Sequence, residues 1–307
     1  MDVLRTPENR FTDLPGYPWQ PRYCTTSDGL RVAVLDEGPR DAQPVLLLHG
    51  EPTWSYLYRK MVPVLLDAGL RVVAPDLVGF GRSDKPAQIE DYTYARHVEW
   101  MRSVLFGAQD DGGLDLRDVV LFCQDWGGLI GLRLLAEVHA AGEGDRFSRV
   151  VAANTGLPDG TRRLPDAWWM FHDFVQKTPD LPIGFLVTSG CADGLPDDVA
   201  AAYDAPFPDA SYKAGPRAFP GLIPQTLDDP ATPDNQRAWE VLRTLDVPLL
   251  TAFSDGDPIT AGGFAHLQKA IPGAAGQPHT TIEGGGHFLQ EDRGERVAQV
   301  VVGWLRS

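Results

Sequence analysis

The chain reads as an α/β protein: a mostly parallel central sheet flanked by helices, with an inserted helical cap. Three observations predict this. From Leu30 onward, short aliphatic runs alternate with longer helical patterns. The runs are apolar throughout and bounded by glycines, as strands covered on both faces are. The alternation then stops between Gly156 and Gln225, where Pro, Gly, Trp and Phe crowd together.

Taken in order, Arg31–Asp36 and Pro44–Leu48 are expected strands, the second ending abruptly at His49-Gly50. Tyr58–Asp67 carries a helical pattern closed by Gly69, and Arg71–Pro75 is the next strand. Tyr94–Phe106 is a helix, Asp118–Phe122 a strand, and Gly128–His139 a further helix. Arg149–Ala153 and Val247–Phe253 follow as later strands. Between them, helical patches at Asp166–Phe174 and Pro196–Tyr203 are separated by turn signals. Structureless loops of that length are uncommon, so the stretch is expected to be a lid. The expected organisation is a first part of the core at 1–155, a cap at 156–225, and a second part of the core at 226–307.

Composition narrows the function classes. With 27 Lys+Arg against 42 Asp+Glu, the formal charge is −15. A phosphate-backbone binder needs clustered positive charge, and an anionic membrane surface repels this chain. Neither nucleic acid nor membrane is an expected partner. No apolar run reaches the roughly 18–20 residues of a bilayer span. The first residues lack the basic-then-apolar pattern of a secretory signal, so a cytoplasmic location is expected. Cys24, Cys123 and Cys191 share no metal-binding spacing, and neither a disulfide framework nor a zinc site is expected.

The segment Asp118–Gly128, DVVLFCQDWGG, runs a buried strand directly into Asp125, followed by small residues and a helical pattern. This is the strand–turn–helix context of a nucleophile elbow, with a carboxylate where G-x-S-x-G has serine. A serine needs a base to become nucleophilic at neutral pH, whereas a carboxylate is already ionised. Aspartate here suits displacement at carbon, leaving an ester that water must open. Helix capping alone would also place aspartate at this position. Two further segments favour chemistry. His49-Gly50-Glu51-Pro52 follows a buried strand, where such folds supply one backbone donor of an oxyanion hole, so the N–H groups of Glu51 and Trp126 are the expected donors. Gly284-Gly285-Gly286-His287 places a histidine on a glycine-rich loop late in the chain, matching the order nucleophile, acid, histidine. The acid that orients His287 is expected after Val247–Phe253, where Asp257 is preferred and Asp255 is the fallback.

HGEPTWSYLYRKM, DLVGFGRSDKP, VVLFCQDWGG, AYDAPFPDASYKAG and GGGHFLQED together resemble the haloalkane dehalogenases, a family of α/β-hydrolases with a helical cap. The similarity runs from about Val45 to Arg293 and is closest to the branch with an Asp-His-Asp triad and two halide-holding tryptophans. Asn154-Thr155 offers no carboxylate for the alternative acid position of the other branch. The resemblance implies attack by Asp125 on a halogen-bearing carbon, and opening of the ester by water that His287 activates. It implies a small halogenated aliphatic substrate, water as co-substrate, a halide product and no cofactor or metal. It also implies halide binding by Trp126 and one cap residue. Counting from Leu164-Pro165 gives Trp169, adjacent to Trp168, while counting back from the later prolines gives Phe171. A monomer or weak homo-oligomer is expected.

An epoxide hydrolase is the nearest alternative, since it shares the Asp-His-acid arrangement and would draw on lid hydroxyls such as Tyr203 and Tyr212. A serine esterase is excluded by the missing serine. A haloacetate-type enzyme lacks the cation it would need beside Asp125. A non-catalytic binding protein would be expected to lack a triad member, and none is missing.

Overall fold

The computed structural model describes all residues from Met1 to Ser307. The central sheet has eight strands: β1 (Arg22–Thr25), β2 (Arg31–Glu37), β3 (Pro44–Leu48), β4 (Arg71–Pro75), β5 (Val119–Gln124), β6 (Phe147–Ala153), β7 (Leu249–Ser254) and β8 (Thr280–Ile282). Across the sheet the order is β8-β7-β6-β5-β3-β4-β2-β1. Strands β3 to β8 pair in parallel, while β2 runs antiparallel to β4 and β1 antiparallel to β2. Every residue of β3 and β5 is buried, and all but Gln124 at the end of β5 are apolar, as in a strand covered on both faces.

Between them the helices α1 (Val62–Asp67), α2 (Tyr94–Phe106), α3 (Trp126–Ala140), α8 (Thr232–Leu242), α9 (Gly263–Ala270) and α10 (Leu289–Leu305) accompany the sheet. Thr93 caps α2 by accepting the Arg96 N–H at 3.1 Å, and Gly107 follows its last turn. Four helices separate β6 from α8, with no strand among them: α4 (Asp166–Lys177), α5 (Ile183–Gly190), α6 (Asp197–Asp204) and α7 (Ala214–Leu222).

Three expectations shift. The helix expected from Tyr58 begins only at Val62, after a 3-10 turn at Ser55–Tyr58, because Pro63 sits in its first turn, where its missing N–H costs nothing. The strand expected to end at Phe122 continues to Gln124, and its helix starts at Trp126 rather than Gly128. Strands β1 and β8, too short for a pattern, and helices α5, α7, α8, α9 and α10 were not anticipated.

The topology positions the site. β3 has β4 on one flank and β5 on the other, so the winding reverses between them and opens a crevice at the strands' carboxyl ends. The register pairs Leu48 with Cys123 and Gln124 with Ala153. It thereby sets His49-Gly50, Asp125 and Asn154 side by side.

Candidate active site

Asp125 stands on the turn between β5 and α3 with φ 51° and ψ −129°. A non-glycine residue held at positive φ carries about 1–3 kcal/mol of strain, which the surroundings must enforce. They do so by close approach. A Cβ on Gly127 would lie 1.9 Å from the Leu48 carbonyl oxygen, and one on Gly50 would lie 2.1 Å from Asp125 Oδ1. The Asp125 N–H donates to Asn154 O at 3.0 Å, and Thr155 Oγ1 donates to Asp125 O at 2.7 Å.

The carboxylate has two distinct sides. Oδ1 accepts the Glu51 backbone N–H at 2.7 Å, whereas Oδ2 lies 3.5 Å from His287 Nε2. On the far side of the ring, His287 Nδ1 and Asp257 Oδ2 are 3.1 Å apart. Asp257 also accepts the Ile259 N–H at 2.9 Å and the Thr260 hydroxyl, so its orientation is fixed. Asp255 faces away, taking the Gly284 N–H at 2.8 Å on the exposed side of the loop. Of the two acids the sequence offers, Asp257 is the one beside the imidazole.

Burial works against a charged imidazole at His287, but Asp257 and then Asp125 outweigh it and hold the pKa up at about 10. Asp257, for its part, is disfavoured by burial yet pulled below the usual carboxylate range by His287. Burial, followed by the neighbouring Asp125 charge, pushes the Glu51 side chain well above the usual range. Burial in the wall of the site thus disfavours the charged form of Glu51.

These groups open onto a cavity of about 170 Å³ lined mainly by apolar side chains. For scale, a dry cavity of about 150 Å³ admits benzene. Asp125, His287, Trp126, Trp168 and Phe171 all line it. The Trp126 ring is wedged between Tyr94 and Phe219, with centroids at 5.0 and 4.4 Å, and its buried Nε1–H has no protein partner. A buried donor left unpaired is costly and marks a place for an acceptor.

Trp169, the expected second tryptophan, does not line the cavity. Its ring packs edge-on against Trp168 at 5.0 Å, and its own Nε1–H is buried without a partner. Helix geometry accounts for the difference, since neighbouring residues diverge by about 100°. Trp168 and Phe171, three residues apart, share the inward face of α4, and only the tryptophan has a donor to offer.

Two tyrosines suggested by the epoxide alternative are not on this wall. Tyr203 is fully buried and donates to Glu291, which is itself paired with Arg59, and neither Tyr203 nor Tyr212 lines the cavity. His49 is structural: its Nε2 accepts the Leu77 N–H at 2.9 Å while Nδ1 faces Gly50 O at 3.0 Å.

The sequence did not point to the roles of two residues here: Asn154 registers only for its lack of a carboxylate, and Gln124 is passed over. Asn154 donates to Ser254 Oγ at 2.8 Å, Gly286 O at 3.0 Å and His287 O at 3.1 Å, tying β6 and β7 to the histidine loop. Gln124 is buried against His287. Their signal was position, each at the carboxyl end of a strand beside the nucleophile.

Residues 43–186 match the alpha/beta hydrolase fold family. The full chain is 55% identical to a haloalkane dehalogenase of Psychrobacter cryohalolentis, over 99% of that protein. It is 52% identical to haloalkane dehalogenase 1 of Mycobacterium tuberculosis, over the whole of both chains. Among solved structures, the tetrameric haloalkane dehalogenase DpaA from Paraglaciecola agarilytica NO2 aligns with a TM-score of 0.87 at 39% identity, covering 98% of this chain and 97% of that one.

Proposed function

The chain belongs to the haloalkane dehalogenase family and hydrolyses carbon–halogen bonds, and from that premise we propose that Asp125 is its nucleophile, His287 its base and Asp257 the acid that orients the base. The observation that carries this is the two-sided carboxylate: Oδ1 rests on the Glu51 N–H, while Oδ2 is directed toward His287 at the rim of an apolar cavity.

In the first half-reaction Asp125 Oδ2 attacks the halogen-bearing carbon from behind. A carbon–oxygen bond forms, the carbon–halogen bond breaks, and its electron pair leaves with the halide. The apolar wall strips water from the carboxylate and from the leaving group. Indole N–H groups of Trp126 and Trp168 then meet the charge where it develops, which stabilises the transition state selectively.

In the second half-reaction water attacks the ester carbonyl carbon and gives one proton to His287 Nε2. The N–H groups of Glu51 and Trp126 receive the oxyanion on Oδ1. Collapse expels the alkoxide, which takes the proton back from His287 as the alcohol, and the second water proton leaves when the Asp125 carboxylate is restored. The raised pKa of His287 fits this order. In the free enzyme Asp257 and then Asp125 help keep the ring charged, and esterification removes the Asp125 charge, which shifts the ring toward its neutral, basic form after alkylation.

The substrate is a small haloalkane, in keeping with the cavity, and its partners are water and the released halide. The DpaA relative is a tetramer; the sequence expectation for this chain, a monomer or weak homo-oligomer, is distinguished from a tetramer by light scattering.

The test is accumulation of the ester. His287→Ala exposed to a bromoalkane should release about one bromide per site and carry an alkyl group on the peptide containing Asp125. Turnover without an adduct would sink the assignment of nucleophile and base together.

A further inference from the structure

Gln124, the last residue of β5, is fully buried with its side-chain amide against the catalytic imidazole. Its Nε2 lies 3.1 Å from His287 O and 3.2 Å from His287 Nε2, while its Oε1 has no partner. The carbonyl contact settles which end of the amide faces the histidine, because a carbonyl oxygen accepts only from N–H. One N–H then serves the carbonyl and the other is aimed at the ring nitrogen. A nitrogen accepts such a donor only when it is bare. On the opposite side, Asp257 accepts only when Nδ1 bears hydrogen.

The two neighbours therefore select the same form of the ring, protonated at Nδ1 and bare at Nε2. In the free enzyme the Asp125 carboxylate, 3.5 Å from Nε2, opposes that choice. Alkylation removes the opposing charge and leaves Gln124 as the close polar neighbour of Nε2. We propose that Gln124 is a positioning residue of the hydrolytic half-reaction, holding His287 with Nε2 bare and directed at the ester until water takes its place. The proposal rests on the reading of His287 as the base. The amide contact is long enough to yield to a water, and the carbonyl bond keeps the histidine loop in place as it does.

The other groups facing the ring are few. Asp257 comes from the loop after β7, Asp125 from the elbow, and Glu51, whose charged form burial disfavours, from the loop after β3. The cap presents Ser189 and Gly190, which carry no charge. From α10, Glu291 is paired with Arg59 and Asp292 accepts the Gly286 N–H.

The test separates the two half-reactions by rapid quench in Gln124→Met and Gln124→Glu, following ester decay against pH. Loss of the donor in Gln124→Met should move the acid limb of the hydrolysis profile up by about one pH unit, because the charged ring no longer faces an opposing N–H. Gln124→Glu should move it further in the same direction. Alkylation should stay within about twofold of wild type in the Met variant, which keeps Asp125 and the indoles. A strut without influence on Nε2 would lower the amplitude and leave the limb in place. If His287→Ala traps the ester and Gln124→Met leaves the limb in place, the proposal fails alone, whatever Gln124→Glu does, since its new charge acts on the ring in either case. If His287→Ala traps no ester, the base assignment fails and takes this proposal with it.

Discussion

Replacing Asp257 with asparagine separates the two half-reactions, because only the second builds positive charge on His287. Asp257 Oδ2 lies 3.1 Å from Nδ1 and the side chain is almost fully excluded from solvent. A full charge about 4 Å from the imidazolium, at an effective dielectric constant of about 20, contributes about 4 kcal/mol. Losing it should slow ester hydrolysis about a thousandfold. Alkylation needs an ionised Asp125 and the indole donors, and it should stay within about tenfold of wild type. In stopped flow with a bromoalkane, Asp257→Asn should therefore give a bromide burst of about one equivalent followed by slow turnover. Asp255→Asn, which touches only the Gly284 N–H, should behave as wild type. A fall of equal size in both half-reactions, or a burst in Asp255→Asn instead, would refute the assignment.

Two further outcomes are expected. Trp168→Phe should weaken bromide binding about ten- to a hundredfold by removing a donor to an anion, about 1.5–3 kcal/mol, whereas Trp169→Phe should leave it nearly unchanged; equal losses in a bromide titration would contradict the placement of Trp168 on the cavity wall. The raised pKa of His287 makes its contribution to stability fully present below the unfolded value of about 6.5, and that contribution is lost as pH rises through the folded value of about 10. The gap in thermal stability between wild type and His287→Gln should shrink from about pH 7 to pH 10; a gap that is constant with pH would count against the charged resting state.

What the sequence made legible follows from the range of each signal. Asp125 and His287 announce themselves locally, one where a buried strand breaks into a glycine-rich helix start and the other on a run of glycines. Asp257 needed only the end of an apolar strand, because the loop after it is short and rich in acids. Which tryptophan of α4 lines the cavity was not legible. Choosing between Trp168 and Trp169 requires the phase of α4 against the cavity, and a pair of adjacent tryptophans carries no phase. Tyr203 posed a related problem, since its hydroxyl finds a glutamate 88 residues away, and no local pattern distinguishes that from an active-site donor. Gln124 lay one residue from the nucleophile, yet its role depends on a side chain from a loop 163 residues later. The strands β1 and β8, four and three residues long, were too short for alternation or apolar content to register.

The central claim is that the alcohol oxygen passes through Asp125. A single turnover in ¹⁸O-labelled water, with enzyme in excess over a bromoalkane, tests it directly. The alcohol should be unlabelled, because Asp125 Oδ2 leaves with the product, and the peptide that contains Asp125 should carry one ¹⁸O atom. Labelled alcohol with an unlabelled enzyme would mean that water attacks the carbon itself, and the covalent mechanism would be wrong.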